Sequence, residues 1–203
     1  MNFFSDTNQE QPCSESKLSQ NTEQTCLTSR LKSHIRTIKD WPQPGIQFRD
    51  ITPLLGNAIA FKEAIAVFAA RYQNVDIQFV AGVEARGFIL GPALALALNA
   101  GFIPIRKKGK LPFNKLTQEY ALEYGQATIE IHTDACLAGD KVLIIDDLIA
   151  TGGTMLAGIK LLEKLGANVV EAAAIINLYD LDGAKKIHDA GVSTFTLCEF
   201  SAY

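Results

Sequence analysis

The sequence predicts an α/β protein in which a mostly parallel sheet is covered by flanking helices, and three observations carry that expectation. Short apolar runs alternate with stretches of helical periodicity along most of the chain, the order that right-handed strand–helix–strand crossovers produce. One run, Val142 to Ile145, is wholly apolar and mostly β-branched, as a strand buried on both faces must be. A length of 203 residues with 48% hydrophobic content suffices for one core and leaves little room for two.

Residues 1–26 are rich in Ser, Thr, Gln, Asn and Glu, too polar to offset the entropy of ordering them, and are expected to form a flexible extension. Residues 27–203 are expected to form the folded domain. Leu27, Leu31, Ile35 and Ile38 recur at helical spacing and predict a short amphipathic helix, which the prolines of Trp41-Pro42-Gln43-Pro44-Gly45 must stop. A second helix is expected over Asn57 to Tyr72, with Phe61, Ile65, Phe68 and Tyr72 on one face. Ile77 to Gly82 reads as a strand, Phe88 to Ala100 as an Ala/Leu helix and Phe102 to Ile105 as the next strand. After a basic, polar stretch from Arg106 to Thr117, Glu119 to Glu123 and Ala127 to His132 predict a hairpin turning near Gly125. Beyond Val142 to Ile145, a helix from about Thr154 to Leu165 stops at Gly166. Val169 to Leu178, a helix over Asp182 to Ala190 and Val192 to Cys198 complete the alternation.

The formal charge of −3 gives no whole-molecule attraction to nucleic acid, so a polyanion would have to be met by a local basic site, and a small anionic ligand fits better. Cys13, Cys26, Cys136 and Cys198 show no paired spacing, and with three histidines there is no ligand cluster for structural zinc; reduced cytosolic thiols are expected. The N-terminal region lacks the apolar core of a signal peptide and carries acids that a mitochondrial presequence avoids. No apolar run reaches the roughly 18 residues that span a bilayer. The expectation is a cytoplasmic protein with neither nucleic-acid nor membrane partners.

The most informative segment is Val142-Leu143-Ile144-Ile145-Asp146-Asp147-Leu148-Ile149-Ala150-Thr151-Gly152-Gly153-Thr154. It predicts a strand ending directly in two carboxylates, then a small-residue turn, then a helix, at the edge of an α/β sheet where ligands gather. Backbone N–H groups of such a turn and the helix N-terminus favour a phosphate, and the hydroxyls of Thr151 and Thr154 add donors. Carboxylates repel phosphate, so Asp146 and Asp147 should meet sugar hydroxyls or a divalent metal carried by a diphosphate. Capping the helix is their other possible use, although a cap needs one aspartate and no glycine pair.

This stretch resembles the signature of the type I phosphoribosyltransferases. The resemblance implies that family's mostly parallel sheet with flanking helices, a flap hairpin and a small N-terminal hood over residues 27–55. It also implies that Asp146 and Asp147 hold ribose hydroxyls while Ala150, Thr151, Gly152, Gly153 and Thr154 wrap the 5′-phosphate.

Four further segments are similar to the adenine-using branch of the family. Ile35 to Leu55 resembles the hood that covers the purine, which implies that Gln47 and Arg49 offer backbone hydrogen bonds to the base and that Phe48 stacks on it; ordinary core is the other use of Phe48. Ala81-Gly82-Val83-Glu84-Ala85-Arg86-Gly87-Phe88 lies between strand and helix, where Arg86 could fork onto pyrophosphate oxygens or serve a structural ion pair. Arg106-Lys107-Lys108-Gly109-Lys110 would be a solvated face in isolation, but the resemblance makes Arg106 to Glu119 a basic lid over pyrophosphate, with Lys107 and Lys110 as contacts. Glu119-Tyr120-Ala121-Leu122-Glu123-Tyr124-Gly125 implies Glu123 as the carboxylate near the purine and Tyr124 near the ribose, Glu123 and Arg86 being the catalytic pair.

By the same resemblance the substrates are adenine and phosphoribosyl pyrophosphate and the products AMP and pyrophosphate. Magnesium should be carried mainly on the diphosphate, with no all-protein cage, and the chain should pair as a homodimer. Hypoxanthine, xanthine or orotate as the base, and a non-enzymatic regulator that senses phosphoribosyl nucleotides, are the alternatives that the residues leave open.

Overall fold

The computed structural model describes residues 25–121 and 125–203. The extension expected over 1–26 lies outside these residues as far as 24, and 25–33 is helical (α1). Leu31 is buried and Ile35 nearly so. The predicted continuation of this helix to Ile38 is wrong, because Arg36–Lys39 is a strand (β1) paired antiparallel with Gln47–Asp50 (β2), Ile38 opposite Phe48. The helical recurrence was an accident of two elements lying end to end, and the β-branched pair Thr37-Ile38 suits the extended part. Asp40, at φ 57, turns the hairpin and accepts a hydrogen bond from Gly45 N at 2.8 Å.

A short helix, Thr52–Gly56 (α2), is held to this hairpin by Asp50, whose carboxylate accepts from Thr52 N at 2.8 Å and from Arg36 Nη2 at 2.5 Å. The Thr52 hydroxyl, then Arg36, pull the Asp50 carboxyl down to about 2 against its burial. Helix α3, Ala58–Tyr72, starts where the Asn57 side chain accepts from the N–H groups of Ile59 and Ala60, the donors a helix end leaves unpaired. Its most buried stripe is Ala60, Ala64, Phe68 and Tyr72, with Phe61 and Ile65 on the flank.

The remaining elements are β3 (Phe79–Val83), α4 (Gly87–Leu98), β4 (Gly101–Lys107), β5 (Lys115–Ala121), β6 (Gln126–His132), β7 (Lys141–Ile149), α5 (Gly153–Lys164), β8 (Asn168–Leu178), α6 (Gly183–Asp189) and β9 (Thr194–Phe200). Seven strands form one sheet in the order β5-β6-β4-β3-β7-β8-β9. The pairs from β4 through β9 are parallel, and the β5–β6 hairpin joins β4 antiparallel. The α/β class is therefore as the sequence predicts, and the expected hairpin forms, but its first strand starts at Lys115 rather than Glu119, because Lys115 to Gln118 pair with His132 to Ile129.

The central strand shows why. Leu143 and Ile145 belong to the core beneath α3 and α4, while Val142 and Ile144 belong to the core beneath α5 and α6. A strand alternates its side chains between faces, so a strand with a helix layer on each side must be apolar at every position. Each fully buried Leu or Ile there contributes roughly 1.5–3 kcal/mol, which makes β7 the best-anchored place from which to extend a site.

Candidate active site

The site lies where neighbouring strands stop at different heights. β3 pairs with β7 only as far as Gly82 opposite Ile145, whereas β8 follows β7 to Ile149. The strand thus does not end at the two aspartates, as the sequence reading had it; it runs through them, because β8 keeps pairing. Asp146 and Asp147 sit on the step so formed, at the carboxyl end of the parallel strands.

After Ile149, the turn Ala150-Thr151-Gly152 leads into α5. Gly152 adopts φ 80, a conformation that costs a side chain strain, and no acceptor among the described residues meets the N–H groups of Thr151 or Gly152. These orphan donors and the first turn of α5 enclose a hollow of about 200 Å³ that also touches Arg86, Asp146 and Asp147. Backbone donors at a helix N-terminus make an anion site with no side chain required.

A second cleft of about 560 Å³ shares Arg86, Asp146, Asp147 and Thr154 with the first. Its other walls include Glu84 before α4, Lys107 at the end of β4 and Lys108 after it, and Tyr120 and Thr128 on the hairpin. Two connected hollows, one built of amides and one of cations, with carboxylates between them, suit a ligand bearing a phosphate at one end and a larger anionic group at the other.

Asp147 is 3% exposed and paired with the Arg86 Nε. Asp146 Oδ1 accepts from Asp147 N at 2.8 Å. Burial, and next the Asp147 charge, raise the Asp146 carboxyl well above the usual carboxylate range. One acid is thus neutralised by a guanidinium and the other protonates readily, which answers how two carboxylates can lie beside a phosphate cradle. Arg86 also stands 5.6 Å from the centre of the Phe48 ring, whose edge meets Trp41 with centroids 4.5 Å apart.

The structure brings together Arg86, Phe48, Lys107, Asp146, Asp147 and Ala150 to Thr154. Gln47 lies on β2 opposite Lys39. The Arg49 side chain turns inward, donating to the Thr37 hydroxyl and to Ser201 O at 2.7 Å, so any part it plays at a ligand belongs to its backbone. Lys110 does not line the cleft; its carbonyl accepts from Arg106 Nη1 at 3.1 Å. Lys108 takes the place beside Lys107 that the sequence reading gave to Lys110. Glu123 and Tyr124 lie outside the described residues. Gly183, which no motif singled out, approaches so closely that a Cβ there would stand 2.1 Å from Ala150 O; only its place near the start of the helix expected over Asp182 to Ala190 was visible beforehand.

Fold and site together define a pocket at the carboxyl ends of parallel strands, with backbone donors at one end and cationic side chains at the other. The model of the phosphoribosyl transferase domain family matches residues 52–199, and the chain belongs to that family. Within it, the chain groups with the adenine phosphoribosyltransferases. It is 58% identical over 177 residues to the adenine phosphoribosyltransferase of Cupriavidus necator, covering 87% of this chain and 93% of that protein. The crystal structure of the Rhodothermus marinus adenine phosphoribosyltransferase superposes with a TM-score of 0.82 at 49% identity, over 87% of this chain and 99% of that one. The Saccharomyces cerevisiae enzyme, solved with an imino-altritol bisphosphate and adenine, gives 0.81 at 38% identity, over 85% and 99%.

Proposed function

We propose that this protein transfers the phosphoribosyl group of phosphoribosyl pyrophosphate to adenine, releasing pyrophosphate and forming AMP, as a step of purine salvage. The observation that carries the reading is the pair of connected hollows sharing Arg86, Asp146 and Asp147, one lined by turn amides and one by lysines. The names of its relatives supply the base.

In this reading the Ala150 to Thr154 turn takes the 5′-phosphate, and Asp146 and Asp147 take the ribose hydroxyls once Arg86 swings from Asp147 to the diphosphate. Arg86, Lys107 and Lys108 neutralise the leaving group, with Lys110 adding positive charge from the same turn. The bond from carbon 1 to the pyrophosphate oxygen breaks as a base nitrogen attacks, through an oxocarbenium-like state. Phe48 and the backbone of Gln47 and Arg49 hold the flat base in line, which removes much of the entropic barrier. Glu123 accepts the proton that the base loses, and Tyr124 stands near the ribose.

Among the described residues no cluster of three or more His, Cys, Asp or Glu could cage a metal, but the Asp146–Asp147 pair facing the cleft fits a cation already chelated by a diphosphate. Magnesium so bound would supply further charge neutralisation of the leaving group. No helix among the described residues is long and apolar enough to cross a membrane, in keeping with a cytoplasmic place. Ile59 on α3, and Ile89 and Leu96 seven residues apart on α4, stand exposed, and we assign these apolar side chains to a homodimer contact.

Initial rates of pyrophosphate release with adenine, hypoxanthine, xanthine and orotate test the proposal. Adenine should be used far better than the others; hypoxanthine used equally well would overturn the base assignment, and no release with any base would favour a nucleotide sensor.

A further inference from the structure

The turn between β4 and β5 is tied down more firmly than a surface loop requires. Glu130, on β6, is only 2% exposed, and its carboxylate accepts hydrogen bonds from Gly109 N at 3.0 Å and Lys115 Nζ at 3.1 Å. Lys115 Nζ also donates to Leu111 O at 3.0 Å, and Leu111 is itself buried. From the other side, Glu84 Oε2 accepts from Lys107 N at 3.0 Å and Arg106 Nε at 3.2 Å. Lys108 N donates to Thr128 O at 3.0 Å, and Lys110 N to Lys107 O at 3.2 Å.

A buried carboxylate is costly unless its lone pairs are filled, and here the partners that fill them all belong to one turn and its outgoing strand. What the turn presents to the cleft is Lys107 and Lys108, beside Arg86 and Thr128. Lysine is a flexible point charge, so its use at a defined place depends on the backbone that carries it. Gly109, at φ 80, gives that backbone its reversal, and its N–H is the group that Glu130 holds.

We propose that Glu130, through Gly109 N and the ion pair with Lys115, is a positioning residue for the diphosphate half of the substrate, holding residues 107–111 in the shape that presents Lys107 and Lys108 to the cleft. The proposal rests on the functional reading above, in which that cleft takes the diphosphate. It makes residues 106–115 a fixed platform.

The test is steady-state kinetics of the full chain and of Glu130→Gln in both directions. KM for phosphoribosyl pyrophosphate, and for pyrophosphate in reverse, should rise roughly tenfold, the scale of a sub-ångström misplacement of binding groups, while KM for adenine and AMP stays unchanged. In a Lys107→Ala/Lys108→Ala background the same substitution should add little. Unchanged KM values, an equal rise for all four ligands, or a full effect retained without the lysines would each overturn the proposal. Lys115→Gln, expected to act in the same direction but less, serves if thermal melts show Glu130→Gln unfolded. If the wild-type protein releases no pyrophosphate from adenine and phosphoribosyl pyrophosphate, it is the functional reading that has failed. Calorimetric titration with magnesium pyrophosphate then decides separately: weaker binding to Glu130→Gln upholds the positioning role, and equal affinity ends it.

Discussion

The cradle after β7 and the hairpin of β5 and β6 face the same cleft but are built in opposite ways. The cradle continues a deeply buried interior strand, is hemmed in by α5 and α6, and offers mainly backbone groups. The hairpin sits at the sheet edge, and β5 exposes every second residue along most of its length, so its offerings are side chains. A phosphate that keeps its charge throughout a reaction is well served by donors that never move. Groups that must admit a base and then act on it belong on an element cheap to displace, which an edge hairpin is.

That contrast can be broken, and the largest effect should come from the acids at the root of the cradle. Replacing Asp146 and Asp147 by Asn weakens two hydrogen-bond partners of the sugar, at about 1.5–3 kcal/mol for the charged Asp147 and about 0.5–1.5 for Asp146, so kcat/KM for phosphoribosyl pyrophosphate should fall roughly 10²–10³-fold. Thermal unfolding measured in parallel should change little; a matching loss of stability would make the pair a helix-capping feature instead.

On the hairpin side, Glu123→Gln should lower kcat by about a hundredfold, the lower range for a lost proton acceptor, with KM for adenine unaltered. Single-turnover rates would show it, and undiminished turnover would take Glu123 out of the chemistry and the contrast with it. Smaller still is the expected effect of Gly183→Ala, whose Cβ would lie 2.1 Å from Ala150 O and 2.8 Å from Gly152 N, against backbone that cannot swing aside. Overpacking of that kind costs about 1–3 kcal/mol, which we expect as a roughly tenfold rise in KM for phosphoribosyl pyrophosphate alone. An unchanged KM would mean that the cradle keeps its shape without α6.

The cradle was legible because everything it needs is contiguous: Asp146 to Thr154 carry acids, glycines and hydroxyls in a single turn, and the apolar run before them announces a strand with two covered faces. The order of strands and helices was legible for a similar reason, since hydrophobic periodicity is a local property. Where two short elements met end to end, as at His34 and Ile35, the same periodicity misled.

Beyond those local signals, contacts between distant residues decided the rest. Arg86 reaches Asp147 across 61 positions, and nothing in either motif shows that the arginine and the acid pair with each other. Gly183 closes against Ala150 only because α6 packs beside the turn, and β7 runs on past its apolar stretch only because β8 continues to pair with it. A basic run looks the same whether it waves in solvent or is stapled by a buried glutamate. The chain's own pattern therefore determined the fold class and the glycine turn that follows β7, whereas the ion pairs, the true strand ends and the presence of Lys108 rather than Lys110 on the cleft wall were decided by packing, which brings together groups whose spacing in sequence carries no period to read.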